Sequence, residues 1–261
     1  MTATADAGEQ NVAFRATLKR YPFVVWAVRR VRAVQWRGLR WVSRLRRRKM
    51  IQQYLATHDV RKLQFGALGH HLEGWLNTDI APVNWRTVYL DATKQFPIPS
   101  NAFDAVFAEH MFEHIAFKDG QHMLRECLRI LKPGGRIRIV TPRLGFLFDM
   151  LKEPLSPTQL GYIRFTREQW MPEATSDEAS FVINNMFYNY GHRFIYDERT
   201  LVASLARAGF TAIVQGRTCD SDDPNFQNVD QHWKLVGHDY NNLESMVFEA
   251  AKPGAARASQ R

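Results

Sequence analysis

Past residue 62 the chain alternates short apolar runs with stretches of helical period. "KLQFG", "WLNTDI", "TVYL", "FDAVFA" and "GRIRIVTP" are short, rich in Val, Ile, Leu and Phe, and read as strands. "KDGQHMLRECLRIL" repeats its apolar positions at three- and four-residue intervals and reads as a helix. Strands separated by helices or tight turns predict an α/β architecture, with a largely parallel sheet covered on both faces. "LKPGG" stops the helix and turns the chain into the next buried strand. In such a sheet the ligand lies outside the carboxyl ends of the strands, near the reversal of strand order. The loop in "KLQFGALGHHLEGWLNTD" falls at that place.

Residues 21–60 follow a different pattern. Val24, Val28, Val31, Trp41, Val42 and Leu45 fall on one stripe of a helix, and Arg29, Arg30, Arg37, Arg40, Arg44, Arg47 and Arg48 fill much of the remainder. Gly38 predicts a break in that helix. The formal charge of +9 belongs to this end: residues 1–62 hold 15 Lys and Arg against 3 Asp and Glu, and the other 199 residues hold 20 against 23. Three readings fit a basic amphipathic segment. Its stripe packs on the domain with the arginines solvated, or residues 21–50 lie on an anionic membrane surface, or the arginines grip nucleic acid. The near-neutral remainder disfavours nucleic acid as a partner.

Composition narrows the setting. At 261 residues and 45% hydrophobic, the chain can bury one full core, so one main domain over 61–252 is expected, between a flexible N-terminus (1–20) and a disordered tail (253–261). Cys127 and Cys219 match no metal-ligand spacing, which points to a reducing compartment. "MTATADAGEQ" is not a secretory leader, and no apolar run reaches the roughly 18–20 residues of a membrane span. A cytoplasmic protein, with peripheral attachment at the inner membrane face, is the expectation.

From Leu63 to Arg143 the order strand, glycine turn, "GW.N.D", "LDAT", "FP.P...FD.V...H..EH", helix and "R.LKPGG...I.TP" resembles the class I S-adenosylmethionine-dependent methyltransferases, in particular small bacterial enzymes of glycan and natural-product pathways. The resemblance continues through "YGHRFIYDERTLVASLARAGF" to a last strand in "ESMVFEAAKP". It implies a Rossmann-like, doubly wound, mostly parallel seven-stranded sheet and S-adenosylmethionine as cofactor. On this resemblance Gly66, Ala67, Leu68 and Gly69 form the cofactor loop, and Asp79 with Ile80 meets the ribose. Asp91 with Ala92 meets the adenine, and Glu109 and His110 flank the methionine end. A dehydrogenase is disfavoured, because neither a full GxGxxG nor a Tyr-x-x-x-Lys pair occurs.

Leu68 stands where the family pattern has glycine, and a leucine there either strains the loop or shifts its path. If the leucine closes the loop, the chain is a catalytically degenerate scaffold. If not, a hydroxyl acceptor needs a base, and His192 and His114 are the candidates. Phe187, Tyr188 and Tyr190 are expected to wall the acceptor pocket, and residues 145–190 form an insertion for acceptor recognition. The acidic run "CDSDDPNFQNVDQHWKLVGHDY" reads as a solvated loop; it could hold a divalent metal, but its spacing supports none. The expected reaction is O-methylation of a sugar, glycan or other small-molecule hydroxyl, with an RNA methyltransferase as the alternative.

Overall fold

The structure, a computed structural model, describes residues 22–254, with side-chain surroundings from residue 38 onward. The expectations for residues 1–20, for the far end of the tail, and for the valines and arginines before residue 38 lie outside what it describes.

The strands are β1 (Lys62–Phe65), β2 (Trp75–Asp79), β3 (Val88–Tyr89), β4 (Phe103–Glu109), β5 (Leu131–Pro142), β6 (Thr211–Gly216) and β7 (Ser245–Ala251). They form one seven-stranded sheet in the order β3-β2-β1-β4-β5-β7-β6. The first five are mutually parallel, with Leu63 opposite Leu76 and Val106, and Val106 opposite Ile137. β7 runs antiparallel between β5 and β6. Strand order reverses between β1 and β4, so their carboxyl ends open the crevice in which such sheets hold ligands. Phe103, Ala105, Val106, Phe107 and Ala108 have no exposed surface, as expected of a central strand covered on both faces.

The helices are α1 (Pro22–Thr57), α2 (Phe117–Ile130), α3 (Leu144–Asp149), α4 (Pro157–Trp170), α5 (Ala179–Tyr188), α6 (Glu198–Ala208), α7 (Trp233–Val236) and α8 (His238–Glu244). α1 runs through Gly38 without the expected break; the glycine meets nothing within 4 Å, so it costs the helix only its intrinsic propensity, about 1 kcal/mol. Among the residues from 38 onward, the face of α1 that meets the sheet is not the one that carries Trp41 and Leu45. Ser43 donates to Thr87 O (3.2 Å) and accepts from Tyr89 N (2.9 Å), completing the short edge strand, and Ile51 and Tyr54 enter the core. Trp41 and Leu45 remain about two-thirds exposed (65% and 64%).

A second core lies over the carboxyl end of the sheet. Residues 144–188 fold into α3, α4 and α5, which pack Phe146, Met150, Tyr162, Ile163, Val182 and Met186 together. α4 begins with a full capping box between Ser156 and Gln159, which fixes where that helix enters. The run from Cys219 to Tyr240 is not simply a solvated loop. Asp230 is 1% exposed because it meets Arg138, a fully buried arginine on β5, and Phe226 is buried beside Trp75 and Phe107.

Candidate functional site

The loop after β1 is shaped by the acid at the end of β2. Asp79 is 5% exposed; its Oδ2 accepts from Leu68 N (2.9 Å) and its Oδ1 from Ala81 N (2.7 Å). Each carboxylate oxygen keeps a second lone pair for a diol. Leu68 is accommodated in the left-handed region (φ 41°), with its side chain 54% exposed at the rim. The hydrogen bond to Asp79 holds it there against the steric cost of that conformation, about 1–2 kcal/mol. Gly66 also has positive φ (65°), and a Cβ there would lie 2.8 Å from the Met111 side chain. Only a residue without a side chain leaves that space open.

What remains open is a cavity of about 330 Å³ lined by Gly66, Leu68, Asp79, Ile80, Asp91, Ala92, His110 and His114, together with Phe65, Leu90, Thr93, Met111 and Ile115. The Asp91 carboxylate is oriented by Thr93, whose N–H and hydroxyl both donate to Oδ1 (3.0 and 2.7 Å). Two of the residues expected to bind cofactor shape the loop rather than line the cavity: Ala67 is fully buried, its N–H bonded to Thr78 O, and Gly69 has open space around it. Glu109 turns elsewhere. Its carboxylate accepts from the N–H groups of Gln231 (2.9 Å) and His232 (3.0 Å), pinning the segment before α7 to the end of β4.

A second cavity, about 290 Å³, shares His110 and His114 with the first. Its other walls are Glu113, Pro142, Tyr162, Trp170, Met186, Tyr190, His192, His232, Leu235, Val236 and Glu244. His192 reaches it because Glu113 O accepts from Arg193 N (2.7 Å) and Phe194 N (3.1 Å), which ties its loop to the turn at Phe112–His114. The rings of His114 and His192 then stand edge to face, 4.8 Å apart. Tyr190 lines the cavity, but Phe187 (41% exposed) and Tyr188 (78%) do not, because α5 buries its Val182, Asn185 and Met186 face instead.

Two linked polar groups occupy this cavity. In one, His232 Nε2 is 2.6 Å from Glu244 Oε1, and Tyr162 donates to the other oxygen of the same carboxylate. Burial alone would raise the Glu244 carboxyl, but the His232 hydrogen bond and charge hold it below the usual range. Burial and the adjacent Glu244 charge push the Tyr162 hydroxyl well up, and burial carries Tyr190 to about 12, so both phenols stay protonated. In the other, fully buried Glu113 accepts from Thr141 Oγ1 (3.0 Å) and lies 3.4 Å from His110 Nδ1. Burial would raise Glu113, but His110 and His114 bring it below its ordinary value. Burial lowers His192, whose Nδ1 sits 2.7 Å from Met186 O. A carbonyl can only accept, so Nδ1 carries the proton and Nε2 the lone pair. His110 Nε2 pairs with Ser245 Oγ (3.0 Å), and its ring stacks on that of His232 with centroids 3.7 Å apart, which joins the two groups.

The family model described as a methyltransferase domain matches residues 75–139, the stretch from β2 into β5 that carries Asp79, Asp91, His110 and His114. Residues 75–139 are thus similar to a methyltransferase domain. Solved structures similar to this chain include phosphoethanolamine N-methyltransferase 2 of Haemonchus contortus, in complex with phosphomonomethylethanolamine and S-adenosylhomocysteine (15% identity, 79% of this chain and 52% of that one, TM-score 0.43). The chain thus spans about half the length of that enzyme. Also similar are a SAM-dependent methyltransferase of Archaeoglobus fulgidus (18% identity, 84% and 96% covered, TM-score 0.44) and the [4+2]-cyclase SpnF (16%, 82% and 81%, 0.40).

Six of the residues singled out in the sequence, Gly66, Asp79, Ile80, Asp91, Ala92 and His110, converge on the first cavity. In the second cavity, Tyr162, Trp170 and Glu244 carried no motif that could single them out. His232 sits in the acidic run, where the only signal was the number of acids and histidines.

Proposed function

We propose that this methyltransferase moves the methyl group of S-adenosylmethionine to a hydroxyl of a sugar, glycan or other small polar molecule. The observation that carries this reading is the pair of cavities sharing His110 and His114, one bounded by Gly66, Asp79 and Asp91 and the other by aromatic rings and histidines. Gly66, Asp79, Ile80, Asp91, Ala92 and His110 hold the cofactor, with Ala67, Leu68 and Gly69 shaping its loop. When bound, the cofactor supplies an electrophilic methyl on a sulfonium. Tyr162, Trp170 and Tyr190 offer ring faces to the apolar side of a sugar, in a cavity at the small end of ligand pockets, about 300–1,000 Å³.

His114 and His192 face the acceptor hydroxyl, and His232 receives its proton. Glu244 accepts the Nε2–H of His232, fixing the tautomer that leaves Nδ1 basic and stabilising the imidazolium that forms. Calorimetric titration with S-adenosylmethionine and S-adenosylhomocysteine tests the donor site, with Asp79→Ala as control. Transfer of labelled methyl to a panel of mono- and oligosaccharides tests the acceptor. His232→Ala is expected to lower kcat about 100-fold or more while leaving cofactor affinity unchanged. Transfer to RNA alone would replace this reading with the RNA alternative, and absence of cofactor binding would leave a scaffold.

A second reading concerns location. Beyond the face of α1 that meets the sheet, Trp41 and Leu45 stand exposed among Arg40, Arg44, Arg46, Arg48 and Lys49. Exposed Trp and Leu among basic residues suit the cytoplasmic surface of an anionic membrane. No described helix is long and apolar enough to cross one. Co-sedimentation with phosphatidylglycerol vesicles, lost in Trp41→Ala/Leu45→Ala and absent with phosphatidylcholine, is the expected outcome; equal binding of the variant would refute it.

A further inference from the structure

The wall between the two cavities holds three ligand-type side chains gathered around one point. Glu113, His114 and His192 each present one ligand atom, and these atoms lie within 4.8 Å of one another. Glu113 has no exposed surface, yet its Oε1 has no hydrogen-bond partner among the described residues. The nearest groups are His110 Nδ1 at 3.4 Å, which pairs with this oxygen when the ring is protonated, and His114 Nε2 at 4.0 Å. A buried carboxylate oxygen without a partner costs several kcal/mol in desolvation unless a cation neutralises it. Its other oxygen is already oriented by Thr141 (3.0 Å), and His192 donates Nδ1–H to Met186 O (2.7 Å). Outer partners of that kind fix the ligand atoms in metal sites and leave Nε2 of such a histidine free to coordinate.

We propose that Glu113, His114 and His192 bind one divalent first-row transition metal of the zinc class, with its open positions directed into the acceptor cavity. Two imidazoles and one carboxylate select such an ion over Mg²⁺ or Ca²⁺, which prefer oxygen ligands throughout. Tetrahedral coordination at about 2.0–2.1 Å needs ligand atoms about 3.3 Å apart, so the 4.0 Å between Glu113 and His114 closes by rotation of a half-exposed histidine. The neighbouring trio His110, His232 and Glu244 is just as compact but is already satisfied, by the His232–Glu244 and His110–Ser245 hydrogen bonds. The two groups therefore divide the work: the ion binds the acceptor oxygen and lowers its pKa, and the released proton passes to His232. This role rests on the proposed hydroxyl chemistry, whereas the binding of the ion does not.

The test uses the full chain, untagged and stripped with chelator. Titration with Zn²⁺ by calorimetry is expected to give one equivalent, at least tenfold weaker in His192→Gln and in Glu113→Gln, and unchanged in His232→Ala. Co²⁺ in place of Zn²⁺ is expected to give visible d–d absorption that His192→Gln abolishes. Both substitutions preserve side-chain volume, and circular dichroism establishes that each variant is folded. A wild-type chain that takes up no stoichiometric Zn²⁺, or binding that His192→Gln leaves intact, overturns the site. S-Adenosylmethionine titration of the same samples separates the two ideas. Cofactor binding without metal leaves the methyltransferase reading standing and removes the metal; metal without cofactor does the reverse.

Discussion

Arg138 offers a stability test whose magnitude follows from its contacts. All five of its N–H groups are used: Nε to Asp230 (2.9 Å), Nη1 to Glu249 (2.6 Å) and Asp220 O (3.0 Å), Nη2 to Asp230 and to Arg217 O (2.8 Å). Arg138→Met leaves Asp230 with only the Cys219 N–H (2.6 Å), while Glu249 keeps Arg136 (2.7 Å). Removing one partner of a buried pair costs about 3–5 kcal/mol, because the other charge stays buried. The retained Arg136 contact sets the expectation at the lower end, about 3 kcal/mol. At roughly 2–4 °C per kcal/mol for a chain of this size, scanning calorimetry should record a fall of about 6–12 °C. Arg138→Met/Asp230→Leu removes the stranded charge and should recover at least half of the loss. Because the network anchors the segment leading to His232, the single variant should also lose acceptor turnover more than cofactor affinity. A fall below about 2 °C, or a double variant no better than the single, would refute this account of the buried pair.

Other outcomes follow from the donor loop and the carboxylates. Asp79→Ala removes the acceptor for two loop N–H groups as well as the proposed ribose contact; cofactor affinity should fall at least 100-fold, and titration within tenfold of wild type would refute the assignment. Leu68→Gly exchanges a left-handed leucine penalty of about 1–2 kcal/mol for glycine's extra unfolded entropy of about 0.4–1 kcal/mol, so thermal stability should rise by roughly 1–3 °C with cofactor affinity within threefold. Glu244→Gln keeps the shape but weakens the orientation of His232, and kcat for methyl transfer should drop at least tenfold with little change in acceptor KM. The Arg129 hydrogen bond holds Glu126 below its ordinary carboxyl range, so its stabilisation is complete above the unfolded value, about 4.3, and disappears as pH falls through the lower folded value. The gap in melting temperature between wild type and Glu126→Gln should therefore begin to close below about pH 5 and go on closing as the pH falls.

Local pattern along the chain was enough to place the parallel strands and the residues around the first cavity. Alternating apolar runs and helical periods dictate a parallel sheet, and the loop between β1 and β2 spans so few residues that Gly66 and Asp79 must meet at its carboxyl edge. Local pattern is enough there, because each residue's role follows from its distance to the end of its own strand. It failed wherever the deciding contact was distant. Asp230 looked like one acid in a solvated run until Arg138, 92 residues earlier, was placed beneath it. Glu109 looked like a cofactor residue until Gln231 and His232 arrived to claim its carboxylate. Tyr162 and Glu244, 82 residues apart, share a hydrogen bond that neither sequence neighbourhood announces. Only tertiary packing could bring His192 against Glu113 and His114, since side chains on separate elements meet through the burial of the helices between them, and burial leaves no fixed spacing in the chain.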